Sequence, residues 1–393
     1  MAVSTKMKDM MGRSSWIRKM FEEGARLKAL HGADKVCDFS LGNPNVVPPV
    51  KFRNTLLDIL NEEIPGKHGY MSNAGYPQVR ERLAEYISKE QNVRLEANNL
   101  ILTCGAGGGM NVALKSVLNP GDTVLASIPC FMEYGFYVDN HGGKLELVPG
   151  KESFDLDVAA MAGRITSSTA AVIINSPNNP SGYVYPEETI RDLGRMLTEK
   201  SRETGRAIYL ISDEPYRKIV FDGTCVPSVF AGYRNTIVIT SYSKDLSIPG
   251  ERIGWAAVHP DAEGRDDLIN AMILANRILG FVNAPALMQR AVGRLQGVAI
   301  DTGIYERKRD ALCQGLAGLG YQFVKPMGTF YLLPRAPGGD DLKFVELLQN
   351  ELILTVPGRG FALPGYFRIA FCVEDEVIER SMKGFARARE KIG

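Results

Sequence analysis

The sequence predicts an open α/β sheet domain joined to a smaller α+β domain, and three observations carry that expectation. Short β-branched runs bounded by polar loops, such as Ile237-Val238-Ile239, read as buried strands, and helical patterns separate them. From Tyr321 onward, short strand signals (Phe330 to Leu333, Phe367 to Phe371) alternate with helices, which suggests a separate α+β unit. Each apolar run of the first part also exits into a short polar stretch. In open α/β sheets, ligands bind beyond those carboxyl ends.

A chain of 393 residues is long enough for two such domains, and 45% hydrophobic with 23% charged residues suits a globular enzyme. Lysine plus arginine (46) balance aspartate plus glutamate (45), so no basic surface points to nucleic acid or to an anionic membrane. Six cysteines show no Cys-x-x-Cys spacing and no clustering with the four histidines. Neither a zinc site nor a disulfide framework is encoded, and free thiols in a reducing cytoplasm are expected. There is no apolar leader and no run long enough to span a membrane.

Residues 1 to 36 carry Trp16, Ile17, Met20, Phe21 and Leu27 among basic residues, an amphipathic helix expected to pack on the body of the protein. Asp38 to Pro44 is a short strand that breaks at Gly42-Asn43-Pro44, a turn where backbone can approach a ligand. His68 to Pro77 is irregular and leads into a helix with Val79, Leu83, Tyr86 and Ile87 on one face. The strand Leu100 to Thr103, the glycine cluster Cys104 to Gly109 and a helix from Met110 follow. That order suits an anion at a helix start, and it equally suits a tight turn. The cluster lacks the third glycine of G-x-G-x-x-G and the Gly-Lys-Ser/Thr of a P-loop, which favours a small monophosphate over a nucleotide.

The strand Thr123 to Ile128 runs on to Phe131, and Ala170 to Asn175 ends in Ser176-Pro177-Asn178-Asn179-Pro180-Ser181-Gly182. Asparagines between prolines serve as side-chain hydrogen-bonding groups or as turn formers. The strand Ala207 to Ile211 exits into Ser212-Asp213-Glu214-Pro215-Tyr216, where Asp213, if buried, requires a cationic or hydrogen-bonding partner. The run Ile237-Val238-Ile239 gives way to Ser241-Tyr242-Ser243 and then Lys244, with Arg252 eight residues on. A helical stretch from Asp267 to Asn276, a hinge from Gly280 to Pro285 and one long helix from Ala286 to about Ala317 close the first part.

Five strand ends thus offer a backbone cradle for phosphate, an aromatic ring, an asparagine amide, a buried-type acid and a lysine. Pyridoxal phosphate needs that set: a Schiff-base lysine, an anion at the pyridine nitrogen, a donor to the ring oxygen, a stacking face and a phosphate site. The motifs Asn-Ser-Pro-Asn-Asn-Pro-Ser-Gly (175 to 182), Ser-Asp-Glu-Pro-Tyr (212 to 216), Ser-Tyr-Ser-Lys (241 to 244) with Arg252, and Phe-Arg-Ile-Ala-Phe (367 to 371) stand in order along the chain. In these the chain resembles the class I/II aminotransferases of the aspartate aminotransferase superfamily.

That resemblance implies the type I fold of pyridoxal phosphate enzymes, a three-layer large domain with a mostly parallel sheet, over 51 to 283. The smaller domain would be formed by 1 to 50 and 284 to 393. It implies Lys244 as Schiff-base lysine and proton shuttle, Asp213 on the pyridine nitrogen, Tyr216 and Asn179 on the ring oxygen, and Phe131 stacked on the ring. The cradle of Gly105, Ala106 and Gly107, with Ser241, Ser243 and Arg252, would hold the phosphate. Tyr70 would reach the phosphate of a second subunit, so a homodimer with shared sites is implied. Arg368 would clamp the substrate α-carboxylate, with Asn179 and the Gly42 backbone beside it. The chain departs from family loops at Gly42-Asn43-Pro44-Asn45 and at Ala106-Gly107. Arg18 and Arg277 are candidates for binding a second substrate carboxylate.

Amino transfer between an amino acid and a 2-oxo acid is the expected activity. A carbon-sulfur β-lyase or an amino acid decarboxylase on the same scaffold would share all these residues. A ligand-sensing regulator would need a DNA-binding domain, for which the residues before Asp38 are too few.

Overall fold

The structure, a computed structural model, describes residues 3–12 and 16–392; the Ile17 side chain, part of the expected N-terminal helix face, lies outside the described residues. Seven strands form the central sheet in the order Leu100–Thr103, Gly254–Val258, Thr236–Ser241, Tyr209–Asp213, Thr169–Asn175, Thr123–Ile128, Lys144–Pro149. Gly254–Val258 runs antiparallel to both of its neighbours, and the remaining pairs are parallel. Strands buried on both faces explain the continuous apolar runs of the sequence. Lys144–Pro149 was not expected; it is an edge strand, half-exposed, without an uninterrupted apolar run.

Two apolar cores cover the two faces of this sheet. Leu102, Val172, Leu210 and Val238 point to one, with Leu83, Ile87 and Leu193 from the flanking helices. Ile101, Ile173, Ile211 and Ile239 point to the other, with Met110, Leu114 and Met272. The alternation along each strand sends successive side chains to opposite layers. A third core gathers Met20, Phe39, Ile300, Leu312, Phe344, Phe367 and Phe385, so the N-terminal and C-terminal segments pack together. Around it lies a three-stranded antiparallel sheet ordered Val356–Pro357, Phe367–Ala370, Tyr331–Leu332. Tyr216, Ile219 and Phe221 join this core from the loop after Tyr209–Asp213, tying it to the large sheet.

Three helical expectations are corrected. The long helix from Ala286 is two helices, Ala286–Gly293 and Gly303–Gly318. Gly297 turns with φ +79° and the Ile300 amide bonds instead to the Asp245 carbonyl, breaking the intrahelical ladder between them. Helix Gly105–Val117 starts within the glycine cluster, not at Met110. Packing overrides the weak helix propensity of glycine here: a Cβ on Gly109 would lie 2.8 Å from Ile239 Cγ2. The N-terminal segment likewise forms two helices, Thr5–Gly12 and Trp16–His31.

Gly254 opens its strand against the glycine-rich turn. A Cβ there would stand 2.3 Å from the Thr240 carbonyl oxygen and 3.0 Å from the Gly105 backbone. Gly254→Ala is therefore expected to destabilise the protein by about 1–3 kcal/mol through overpacking, read as a lower midpoint of urea unfolding.

Candidate active site

The carboxyl ends of the parallel strands open into a cavity of about 1000 Å³, lined among others by Phe131, Asn179, Asp213, Lys244, Arg252 and Arg368. Six further expected residues, Gly42, Ala106, Gly107, Tyr216, Ser241 and Ser243, also line it. Gly105 does not; with φ +71° it makes the turn that aims the following helix start at the cavity. Tyr70 is 92% exposed, far from the state of a buried aromatic, and is not brought to this cavity by its own chain. Arg18 lines the cavity, whereas Arg277 is exposed on the helix Arg265–Ile278 and does not.

Lys244 is partly buried, and its ammonium donates to the Gly42 carbonyl oxygen at 2.8 Å. Burial pulls its pKa down to about 8, with the Arg368 and Arg252 charges acting in the same direction. Glycine at position 42 leaves room for Tyr331, because a Cβ on it would fall 1.8 Å from the Tyr331 hydroxyl. The Tyr331 hydroxyl in turn shares a hydrogen bond of 2.9 Å with the hydroxyl of Tyr216.

Asp213 ends its strand with its carboxylate in the cavity wall. The Tyr134 hydroxyl donates to Oδ2 at 2.6 Å, while Oδ1 is buried without a hydrogen-bond partner. Burial pushes this carboxyl up to about 6, against the opposing pull of the tyrosine hydroxyl. A buried acceptor without a partner is costly, so Oδ1 is suited to a cationic N–H donor arriving from the cavity. Asn175 fixes the same strand end: its amide donates to the Asp213 carbonyl at 2.7 Å, and its side-chain oxygen accepts from the Asn179 amide at 2.6 Å.

Arg368 is fully buried and donates to Asn179 Oδ1 at 3.0 Å and to the Ser40 carbonyl at 2.7 Å, leaving Nε without a partner. Its guanidinium lies 4.4 Å from the Tyr331 ring and 4.8 Å from that of Phe361. Desolvation lowers its pKa, yet an arginine stays protonated, which makes it a standing site for a carboxylate. At the opposite end the start of helix Gly105–Val117 and Arg252 form an anion cradle; a Cβ on Gly105 would lie 3.0 Å from Arg252 Nη2.

The residues following Asp213 and Lys244 turn away from the cavity. Glu214 accepts from Ser212 at 2.8 Å, Arg217 at 3.1 Å and Gln91 at 3.2 Å, and Asp245 accepts from Lys218 at 3.0 Å. Sequence reasoning missed Tyr134, Tyr331 and Asn175. Asn175 stood inside a recognised motif, and Tyr134 lies three residues after Phe131, the spacing of one helical turn. Tyr331 carried no signal, because its role arises only where the small sheet meets the large one.

A family model described as aminotransferase class I and II matches residues 34–385. The aspartate/prephenate aminotransferase of Thermus thermophilus is 31% identical over 337 residues, covering 82% of this chain and 83% of that protein. The chain belongs to this family. Its members transfer an amino group between an amino acid and a 2-oxo acid, and this chain is a transferase of that kind. A crystal structure of an aminotransferase from Eubacterium rectale superposes with a TM-score of 0.96 at 39% identity, covering 100% of both chains. The Thermus thermophilus aspartate aminotransferase solved with maleate gives a TM-score of 0.88 at 26% identity, over 99% of this chain and 100% of that one. The expected three-layer α/β fold with a mostly parallel large sheet agrees with these neighbours. The relatives are named as aminotransferases, and the lyase and decarboxylase alternatives gain nothing from them.

Tyr134→Phe leaves Oδ2 of Asp213 buried without its donor. This aminotransferase is expected to lose about 1–3 kcal/mol of stability, and the Asp213 carboxyl to titrate higher than about 6, measured by urea unfolding and by NMR titration of the carboxyl. In protein stripped of ligands, labelling of Lys244 by an amine-reactive reagent is expected to rise with pH about a midpoint near 8, not near 10.5. Mass spectrometry of the labelled peptide reads that midpoint.

Proposed function

We propose that this aminotransferase works through pyridoxal phosphate bound in the cavity, with dicarboxylic amino acids among its donors. The observation that carries the reading is the uncapped Oδ1 of Asp213, in the wall of the cavity that Lys244, a lysine of lowered pKa, also lines. A pyridinium N–H would supply the missing donor, and a neutral amine is the nucleophile a carbonyl cofactor needs. The remaining residues fit the group: the Ala106 and Gly107 amides, Ser241, Ser243 and Arg252 for the phosphate, Phe131 for the ring face, and Tyr216 and Asn179 for the ring oxygen. When bound, pyridoxal phosphate supplies an electron sink for the charge left at the substrate α-carbon.

The chain's own residues do the rest. Arg368 orients the substrate by pairing bidentately with its α-carboxylate, and Asn179 holds the guanidinium in place. Lys244 would take the proton from the substrate α-carbon, hold it on Nζ and deliver it to the carbon on the cofactor side, so that the α-carbon is left to become the carbonyl of the oxo acid; the Gly42 carbonyl keeps the amine in line. Asp213 stays ionised near neutral pH, because its raised pKa of about 6 is still lower than 7. The donor assignment draws on relatives named aspartate/prephenate aminotransferases and on a neighbour solved with maleate.

The proposal extends to assembly and place. Tyr70, exposed on its own chain, is suited to reach the site of a second copy in a homodimer, with Val47 and Val50 also exposed nearby in sequence. Residues 1–50 and 284–393 would act as the small domain that closes over substrate. The compartment is taken as the cytoplasm, in keeping with six unpaired cysteines.

The test is the near-ultraviolet and visible absorbance of the purified protein during additions of aspartate and then 2-oxoglutarate. The visible band should bleach with the amino acid and return with the oxo acid, with no ammonia released. Ammonia without return of the band would favour a lyase. Lys244→Ala should keep the fold and lower the transamination rate by about 10²–10⁴-fold or more.

A further inference from the structure

The anion cradle is short of side-chain donors on one side. Gly105, Ala106 and Gly107 open the helix Gly105–Val117, and none of the three carries a hydrogen-bonding side chain. Backbone N–H groups and the helix dipole are all that this turn itself offers an anion. Arg252 lines the cavity beside it, with Nη1 already donating to the Pro249 carbonyl at 2.9 Å.

A hydroxyl without a role so far stands next to the same turn. Tyr137 lines the cavity, and a Cβ on Gly107 would lie 3.4 Å from its hydroxyl oxygen. Glycine leaves that space open, whereas a longer side chain at 107 would crowd the phenol. Among the described residues the hydroxyl makes no hydrogen bond. Its placement follows from the helix Glu133–Asn140: Tyr134 bonds to Asp213, and Tyr137, three residues on, projects from the same face one turn further along. The ring packs against the apolar core that holds Met110 and Tyr134, so the hydroxyl is presented with little rotamer freedom left to lose. It is also a donor at neutral pH. Burial pushes the phenol up to about 12, with the Glu133 and Asp213 charges adding to the rise and Arg252 opposing it.

We infer that Tyr137 is a phosphate-binding residue: its hydroxyl supplies, from a neighbouring helix, the side-chain donor that the Gly105-Ala106-Gly107 turn lacks. The group it recognises is the dianion of a phosphate monoester. This rests on the pyridoxal phosphate reading above and adds to it a donor at the phosphate end.

The test is loading of the cofactor-free protein, followed by visible absorbance at rising concentrations of pyridoxal phosphate or of pyridoxal, which lacks the phosphate. Tyr137→Phe should weaken pyridoxal phosphate by about tenfold and leave pyridoxal unchanged, because only the former loses a hydrogen bond to a charged group. Inorganic phosphate, added as a competitor of loading, should weaken by the same factor. The urea midpoint of cofactor-free Tyr137→Phe should match the wild type, since the hydroxyl has no protein partner to lose. Adding Gly107→Ser to Tyr137→Phe should recover part of the affinity, with the serine hydroxyl entering the space that the phenol oxygen leaves. Equal affinity of wild type and Tyr137→Phe for pyridoxal phosphate, or an equal loss for pyridoxal, would overturn the inference and leave the cofactor reading in place. A wild-type protein that gives no visible band with pyridoxal phosphate overturns that reading itself.

Discussion

Desolvation is the constraint on which this site depends. Asp213 and Arg368 are buried and Lys244 partly so, all lining one cavity, and each would be a liability without a partner there. The structure meets this with neutral dipoles rather than with counter-ions: a carbonyl for the lysine, a tyrosine hydroxyl for the aspartate, an asparagine oxygen and a carbonyl for the arginine. No two of the three form an ion pair among the described salt bridges. The charges therefore stay available to a ligand instead of neutralising one another.

The sheet makes that arrangement possible. Parallel strands end on one side, so Asn175, Asp213 and Ser241 arrive together although they are distant in sequence, with register holding Asn175 opposite Asp213. The antiparallel strand Gly254–Val258 brings the Arg252 loop back to the same edge, pairing Gly254 with Ser241. Lys244 and Arg252 thus belong to one hairpin. Small shifts in it would move the reactive amine and the anion cradle together.

Much of this was legible in the sequence because the strands are buried on both faces, and their apolar runs stop abruptly where the chemistry begins. The apolar runs ending at Asn175, Ile211 and Ile239 are read that way, and the structure carries the last two strands on to Asp213 and Ser241; the motifs following them carry the residues that line the cavity. What escaped depended on contacts between distant segments. Tyr134 gains its role only because the first turn of helix Glu133–Asn140 brings its hydroxyl to Asp213, and Tyr331 only because the small sheet meets the Gly42 turn. The start of helix Gly105–Val117 was misplaced because local propensity disfavours glycine in a helix, while the close approach of Ile239 demands it. Lys144–Pro149, half-exposed at a sheet edge, had no such apolar run to announce it.

Glu214 and Asp245, bound to Arg217 and Lys218 on the side away from the cavity, have a further consequence. Each catalytic-site loop is pinned by the residue directly after the one that faces the ligand. The loops are therefore ordered by folding itself, and a ligand entering the cavity does not bear the entropy of ordering them. The same pinning separates two kinds of sequence change. Substitutions on the cavity side alter chemistry and leave the loops standing, whereas substitutions at Glu214, Arg217, Lys218 or Asp245 strand a buried charge. The molecule can thus vary what it acts on without rebuilding the frame that holds its reactive groups.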